Sequence, residues 1–187
     1  MKRSVLFTAL TATLLLGGCA AGDYRLPSTA VMPPEALQTN GDVDVRALNI
    51  AAYGFGHWQE MVGNPALAAE TISALDYMGG QLNTAPRWVS MPAIFRLNML
   101  TSRNQVRALL GIGEDVPSQQ VVDTMNGLAA AYRAGDQATV EKLLAEPMFT
   151  LGPQATAQKL ANLPYMPSVN NAASHAAAYA FGGLFSN

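Results

Sequence analysis

The chain is poor in the residues that carry most enzyme chemistry. It has one cysteine, two histidines and two tryptophans in 187 residues, and Asp, Glu, Lys and Arg together make up 13% of it, against ~25% in an average soluble domain. A lone cysteine excludes an intramolecular disulfide and a multi-cysteine zinc site. The 11 basic residues are outnumbered by 13 acidic ones, so no phosphate-neutralising surface is expected and nucleic acid is excluded as a partner. Val and Ile are sparse, and no useful length of sequence alternates polar and apolar residues, which argues against strands. There is no Gly-x-Ser-x-Gly elbow, no lysine-bearing phosphate loop and no His-Glu-x-x-His. Alanine is what abounds, at 31 of 187 positions, and it has the highest intrinsic helix propensity.

The first 19 residues have an order of their own. Met1-Lys2-Arg3 is cationic, and Val5–Leu16 is uncharged and rich in Leu, Val, Phe and Ala. Twelve apolar residues are too few for a bilayer-spanning helix, which needs ~20, but suit the core of an export signal. Leu16-Gly17-Gly18-Cys19 follows directly. This N-terminus resembles that of bacterial lipoproteins, in which a branched apolar residue and two small ones precede the cysteine. The resemblance implies cleavage after residue 18, diacylglycerol on the Cys19 sulfur and acylation of its new amine. Two or three acyl chains anchor stably where one holds marginally. Ala20, in place of Asp, favours the outer over the inner membrane in the sorting pattern of that family. Without residues 1–18 the net charge is −4.

Residues 19–40 contain three prolines and no sustained periodicity, which reads as a flexible tether beyond the lipidated cysteine. Residues 41–187 read as one all-helical domain, an antiparallel bundle or array of six to eight short helices. A first helix capped by Asp42 or Asp44 carries Val45, Leu48, Ala52, Phe55 and Val62 on one stripe, with a bend or tight contact at Gly54–Gly56. Asn64-Pro65 restarts the chain as N-cap and first helical residue, and Gly79-Gly80 is expected to loosen the last turn of that helix. Ser102 and Gln105 form a capping-box pattern, Ser118 starts a further helix, Gly135-Asp136 closes it and caps the next, Pro153 opens another, and Asn170 or Asn171 precedes the last. The segment 128–153 resembles one tetratricopeptide-type hairpin. It departs from that pattern at Glu141 and Met148 and has no second copy 34 residues away, leaving a generic helical hairpin.

The functional residues to test are few. His57 and Glu60 share a helical face, but metal sites in bundles use Glu-x-x-His, repeated on facing helices, so neither a metal nor a cofactor is expected. Asp42/Asp44 and Glu114/Asp115 sit where helix caps and turns favour acids. Tyr53, Phe55, His57 and Trp58, with Arg87 and Trp88, form the densest aromatic region. His57, Trp58, Glu60, Arg87 and Trp88 are thus the candidate ligand or partner surface, and no residue is assigned a catalytic role. The expected function is that of a periplasm-facing, lipid-anchored interaction or assembly module with another envelope protein as partner. The alternative is an envelope enzyme or a glycan- or small-ligand-binding protein, which requires His57, Arg87 and Trp88 to converge on one cleft.

Overall fold

A computed structural model describes residues 26–38 and 40–184. The export segment 1–18 and Cys19 lie outside the described residues. Among those described there are eight α-helical segments and no strand, so the domain is all-α. The helices are α1 (Val43–Gly56), α2 (Trp58–Met61), α3 (Pro65–Thr84), α4 (Ala93–Leu109), α5 (Ser118–Ala134), α6 (Gln137–Leu144), α7 (Pro153–Ala161) and α8 (Pro167–Leu184), with single 3-10 turns at Pro34–Leu37 and Pro86–Trp88.

Local capping chemistry accounts for most of the boundaries. The Asn64 carboxamide accepts the Leu67 amide at 3.1 Å ahead of Pro65, meeting one of the N–H groups left unpaired at a helix start. Gly135 ends α5 at φ +66°, and the Asp136 carboxylate caps α6 through the Thr139 amide, giving the expected hairpin. Two expectations fail. Ser102 and Gln105 lie inside an unbroken α4, because Ser102 packs inward as part of that helix's buried face. Helix α8 begins at Pro167, ahead of Asn170, since proline at a first helical position forgoes only an N–H that has no partner there.

Helix α3 is the centre of the fold. It packs against α1, α4, α5 and α7, and its residues 71–80 are buried without interruption. A helix surrounded on all sides has no polar face to spare, so neighbours can come close only where side chains are small. Gly54 of α1 faces Thr71, and a Cβ at Gly54 would overlap that side chain. This is the tight contact expected near Gly54–Gly56. Gly79 and Gly80 do not loosen α3, which continues to Thr84. They make room: a Cβ at Gly79 would press on the Arg103 side chain, and one at Gly80 would stand 2.5 Å from the Ser28 carbonyl oxygen.

That second contact departs from a flexible tether within the described residues. Of the segment 19–40, residues 26–38 are docked on the domain. The Ser28 hydroxyl accepts the Ser118 amide at 3.1 Å, and its carbonyl accepts from Arg103 at 3.1 Å. Val31 exchanges two bonds with the Gln119 carboxamide, and Met32 and Leu37 are buried. Proline and small residues suit such a strap, because residues 26–33 form no helix or strand of their own and Ser28 and Val31 bond to the domain instead.

Helices α4 and α8 run antiparallel, joined by Ser168 to Gln105 (2.9 Å), His175 against Phe95 (centroids 5.4 Å apart) and the Tyr179 hydroxyl donating to the Ser90 carbonyl (2.8 Å). Helix α5 covers another flank of α3, with its Arg133 ion-paired to Glu70, and α6 packs on α5 and α7.

Candidate functional site

The five candidate residues fall into two groups at opposite ends of α1, a helix of 14 residues, which at ~1.5 Å per residue puts the groups roughly 20 Å apart. His57, Trp58 and Glu60 gather at its C-terminal end. The exposed imidazole of His57 stacks on Tyr53 with centroids 4.3 Å apart, and its Nδ1 lies 3.0 Å from the Tyr53 carbonyl oxygen. The Tyr53 hydroxyl donates to Glu60 at 2.8 Å, a bond that raises the phenol above its ordinary pKa. Trp58 is half-buried against Tyr165.

Arg87 and Trp88 are at the other end. Asp42 is the N-cap of α1, accepting the amides of Asp44 and Val45, and receives both Arg87 Nη atoms, at 3.2 and 2.6 Å. The Arg87 guanidinium holds the Asp42 carboxyl below the usual carboxylate range, with burial opposing it and the capped amides adding to it. Asp44 is not the second cap that the sequence suggests. It turns inward, accepting the Tyr77 hydroxyl at 2.6 Å and the Trp88 indole N–H at 2.9 Å, with Arg87 3.3 Å away. Trp88, only 6% exposed, is covered by Arg87, whose guanidinium carbon sits 4.7 Å from the ring centre. A buried indole under an ion-paired arginine offers no stacking surface to a ligand. This cluster clasps α1 to α3 and the Pro86–Trp88 turn, and all its buried polar groups are mutually satisfied.

Tyr77 gives a direct check on the clasp. Burial, and then the Asp44 carboxylate, push its phenol up from 10.0 to about 12. A raised folded-state pKa contributes stability that is complete below pH 10 and is lost as pH rises through 12. In a spectrophotometric titration of the six tyrosines, the last phenol to ionise should do so near pH 12 as the α1–α3 contact opens. Tyr77→Phe should remove that step; its persistence would mean the clasp is not formed.

Between α1 and α3 runs an open groove of about 520 Å³, lined by Arg46, Asn49, Ile50, Tyr53, Leu67 and Glu70. Its charged groups are engaged: Arg46 donates to the Leu37 carbonyl and Glu70 pairs with Arg133. Among the described residues no group of three or more His, Cys, Asp or Glu is placed to hold a metal, and no helix is long and apolar enough to cross a membrane.

Sequence reasoning missed the largest polar cluster. Asp76, in the middle of α3, pairs with Arg107 of α4 in a two-pronged contact at 2.6 and 2.7 Å, each side chain 1% exposed. Arg107 also donates to the Val116 carbonyl (2.7 Å) and the Ser118 hydroxyl (3.0 Å), and Arg103 reaches the same hydroxyl at 3.1 Å. A signal existed: Asp76 interrupts an apolar run, and Arg103 and Arg107 stand four apart on the inward side of α4. Charges at core-facing helical positions are buried only when paired.

The fold and its clusters define a small all-α domain with closed structural clasps and shallow grooves. Comparison with protein-family models, curated proteins and solved structures found no significant match.

Proposed function

We propose that this chain is a lipid-anchored protein of the bacterial envelope, preferentially of the outer membrane, whose helical domain acts by binding another envelope protein. The observation that carries this reading is the run Leu16-Gly17-Gly18-Cys19 directly behind a cationic start and a 12-residue uncharged segment. Two features of the domain support a binding role over catalysis. Asp42, Asp44, Arg87, Asp76 and Arg107 are engaged in two structural clasps, and His57 stands a helix length from Arg87. The convergence that an enzyme or glycan-binding cleft at His57, Arg87 and Trp88 requires is therefore missing.

The anchor is tested by intact-mass analysis of the protein from a Gram-negative host. The expected species begins at residue 19 and carries a diacylglyceryl group and an amide-linked acyl chain; Cys19→Ser should yield none of it and leave the membrane fraction. An unmodified thiol at Cys19, or a different mature start, overturns the reading. Affinity capture of the lipidated protein in mild detergent should recover one partner near stoichiometric level, and recovery of none counts against the interaction role.

A further inference from the structure

We propose that the paired surface of α4 and α8 lies against the bilayer, so that the domain rests on its side next to its own anchor. This deepens the lipid-anchor reading above and rests on it.

Three observations converge. The first is charge. Helix α8 contains no Asp, Glu, Lys or Arg, and the three arginines of α4 are withdrawn from its outward face: Arg103 and Arg107 are buried, and Arg96 is half-buried. What the pair presents is a trough of amides and hydroxyls, including Asn98, Thr101, Gln105 and Asn171, together with the exposed imidazole of His175. Large apolar side chains are exposed on the same two helices and just before them: Ile94 (59%) and Leu97 (46%) on α4, Val89 (73%) ahead of α4, and Phe181 near the end of α8. Burying a charged side chain below the headgroups is costly, whereas exposed apolar side chains gain free energy there and amides keep their hydrogen bonds at headgroup level.

The second is where the chain arrives. Leu26, 69% exposed, lines a concavity together with Leu100, Arg103 and Asn104 of α4 and the exposed acids Glu114 and Asp115. Seven residue steps separate Leu26 from Cys19, which at 3.3–3.6 Å each allow at most about 25 Å. A lipid on Cys19 therefore keeps Leu26, which lies beside Leu100 and Asn104 of α4, within that distance of the headgroups. So short a linker gives the face an effective concentration at the bilayer in the millimolar range, enough to populate a contact too weak to form unaided.

The third is the flank formed by α5 and α6. Exposed Asp123, Arg133, Glu141 and Lys142 lie on α5 and α6, with Asp136 in the turn between them; α5 is bonded to α4 at its first residue, Ser118, and α6 packs on α5 and α7. The charged side of the domain is thus left for water and for a protein partner.

The test uses the lipidated full chain in phosphatidylethanolamine/phosphatidylglycerol vesicles containing nitroxide-headgroup lipid. Because Cys19 is acylated, Leu97→Cys, Phe181→Cys and Lys142→Cys each provide a single thiol for a fluorophore. Quenching should be at least threefold stronger at positions 97 and 181 than at 142, and Ile94→Glu should reduce it at 97. Equal, weak quenching at all three positions on floating vesicles overturns the proposal. Protection of position 97 by chain-to-chain cross-linking without lipid quenching also overturns it, in favour of a second copy. A chain that carries no acyl group fails the anchor reading instead. In that case a histidine tag replacing residues 1–19, held on nickel-chelating lipid, tests the face by itself, and quenching there supports the proposal while its absence overturns it.

Discussion

Arg107→Ala should destabilise the domain by about 3–5 kcal/mol, the range for removing one partner of a buried ion pair. The Asp76 carboxylate would be left in the middle of α3 without its two guanidinium bonds, in a helix packed on all sides. The loss extends beyond the pair, because Arg107 also holds the Val116 carbonyl and the Ser118 hydroxyl, and so fixes the turn that delivers α5. Since domains of this size are stable by only ~5–15 kcal/mol, urea denaturation should show a large fall in midpoint, or no folded protein. The double variant Asp76→Leu/Arg107→Met separates the two contributions. A well-packed apolar pair often matches the buried ion pair it replaces, so most of the stability should return, with a deficit from the abandoned Val116 and Ser118 bonds. A cost below about 1 kcal/mol for Arg107→Ala would mean that Asp76 is reached by water and that the pair is not sealed in the core.

Gly54→Val should cost about 3 kcal/mol, near the upper end for overpacking a core. Helix propensity points weakly the other way, since valine is better than glycine in a helix interior by a few tenths of a kcal/mol. Packing wins because α1 and α3 meet at Gly54. The Thr71 side chain that a Cβ would strike is itself fully buried and has nowhere to swing. Gly56→Val is the control. A Cβ there meets only the Asn170 carboxamide oxygen, at 3.5 Å, and the residue is exposed, so thermal denaturation should place it within about 0.5 kcal/mol of the parent. Thr71→Ala combined with Gly54→Val should cost less than the two changes summed, because residues in contact do not add independently. Full additivity would show that the two helices do not touch there.

The contrast between Gly54 and Gly56 shows where sequence reading stops. The run Gly54-Phe55-Gly56 marks a place of possible close approach, but not which glycine is used. That depends on how α1 is rotated against α3, and rotation is a property of the packed pair. Val62, expected on the inner stripe of the first helix, lies beyond α1 and is exposed for the same kind of reason: the chain turns at His57 and the stripe ends. Asp42 and Asp44 divide likewise. Both occupy positions where acids cap helices, yet only Asp42 caps. Asp44, two residues on, points inward to Tyr77 and Trp88, groups 33 and 44 residues away.

What the amino-acid order determines by itself is therefore local. Alanine content and scarce β-branched residues make the domain helical. Asn64-Pro65, Gly135-Asp136 and Pro153 set boundaries because capping bonds and proline's missing N–H act within three or four residues. Tertiary structure alone decided the rest. It paired Asp76 with Arg107, laid residues 26–38 into the seam above Gly80, and put His57 a helix length from Arg87. Those outcomes depend on which helix faces meet, and an interface between distant segments is settled by the shape and burial of both partners together.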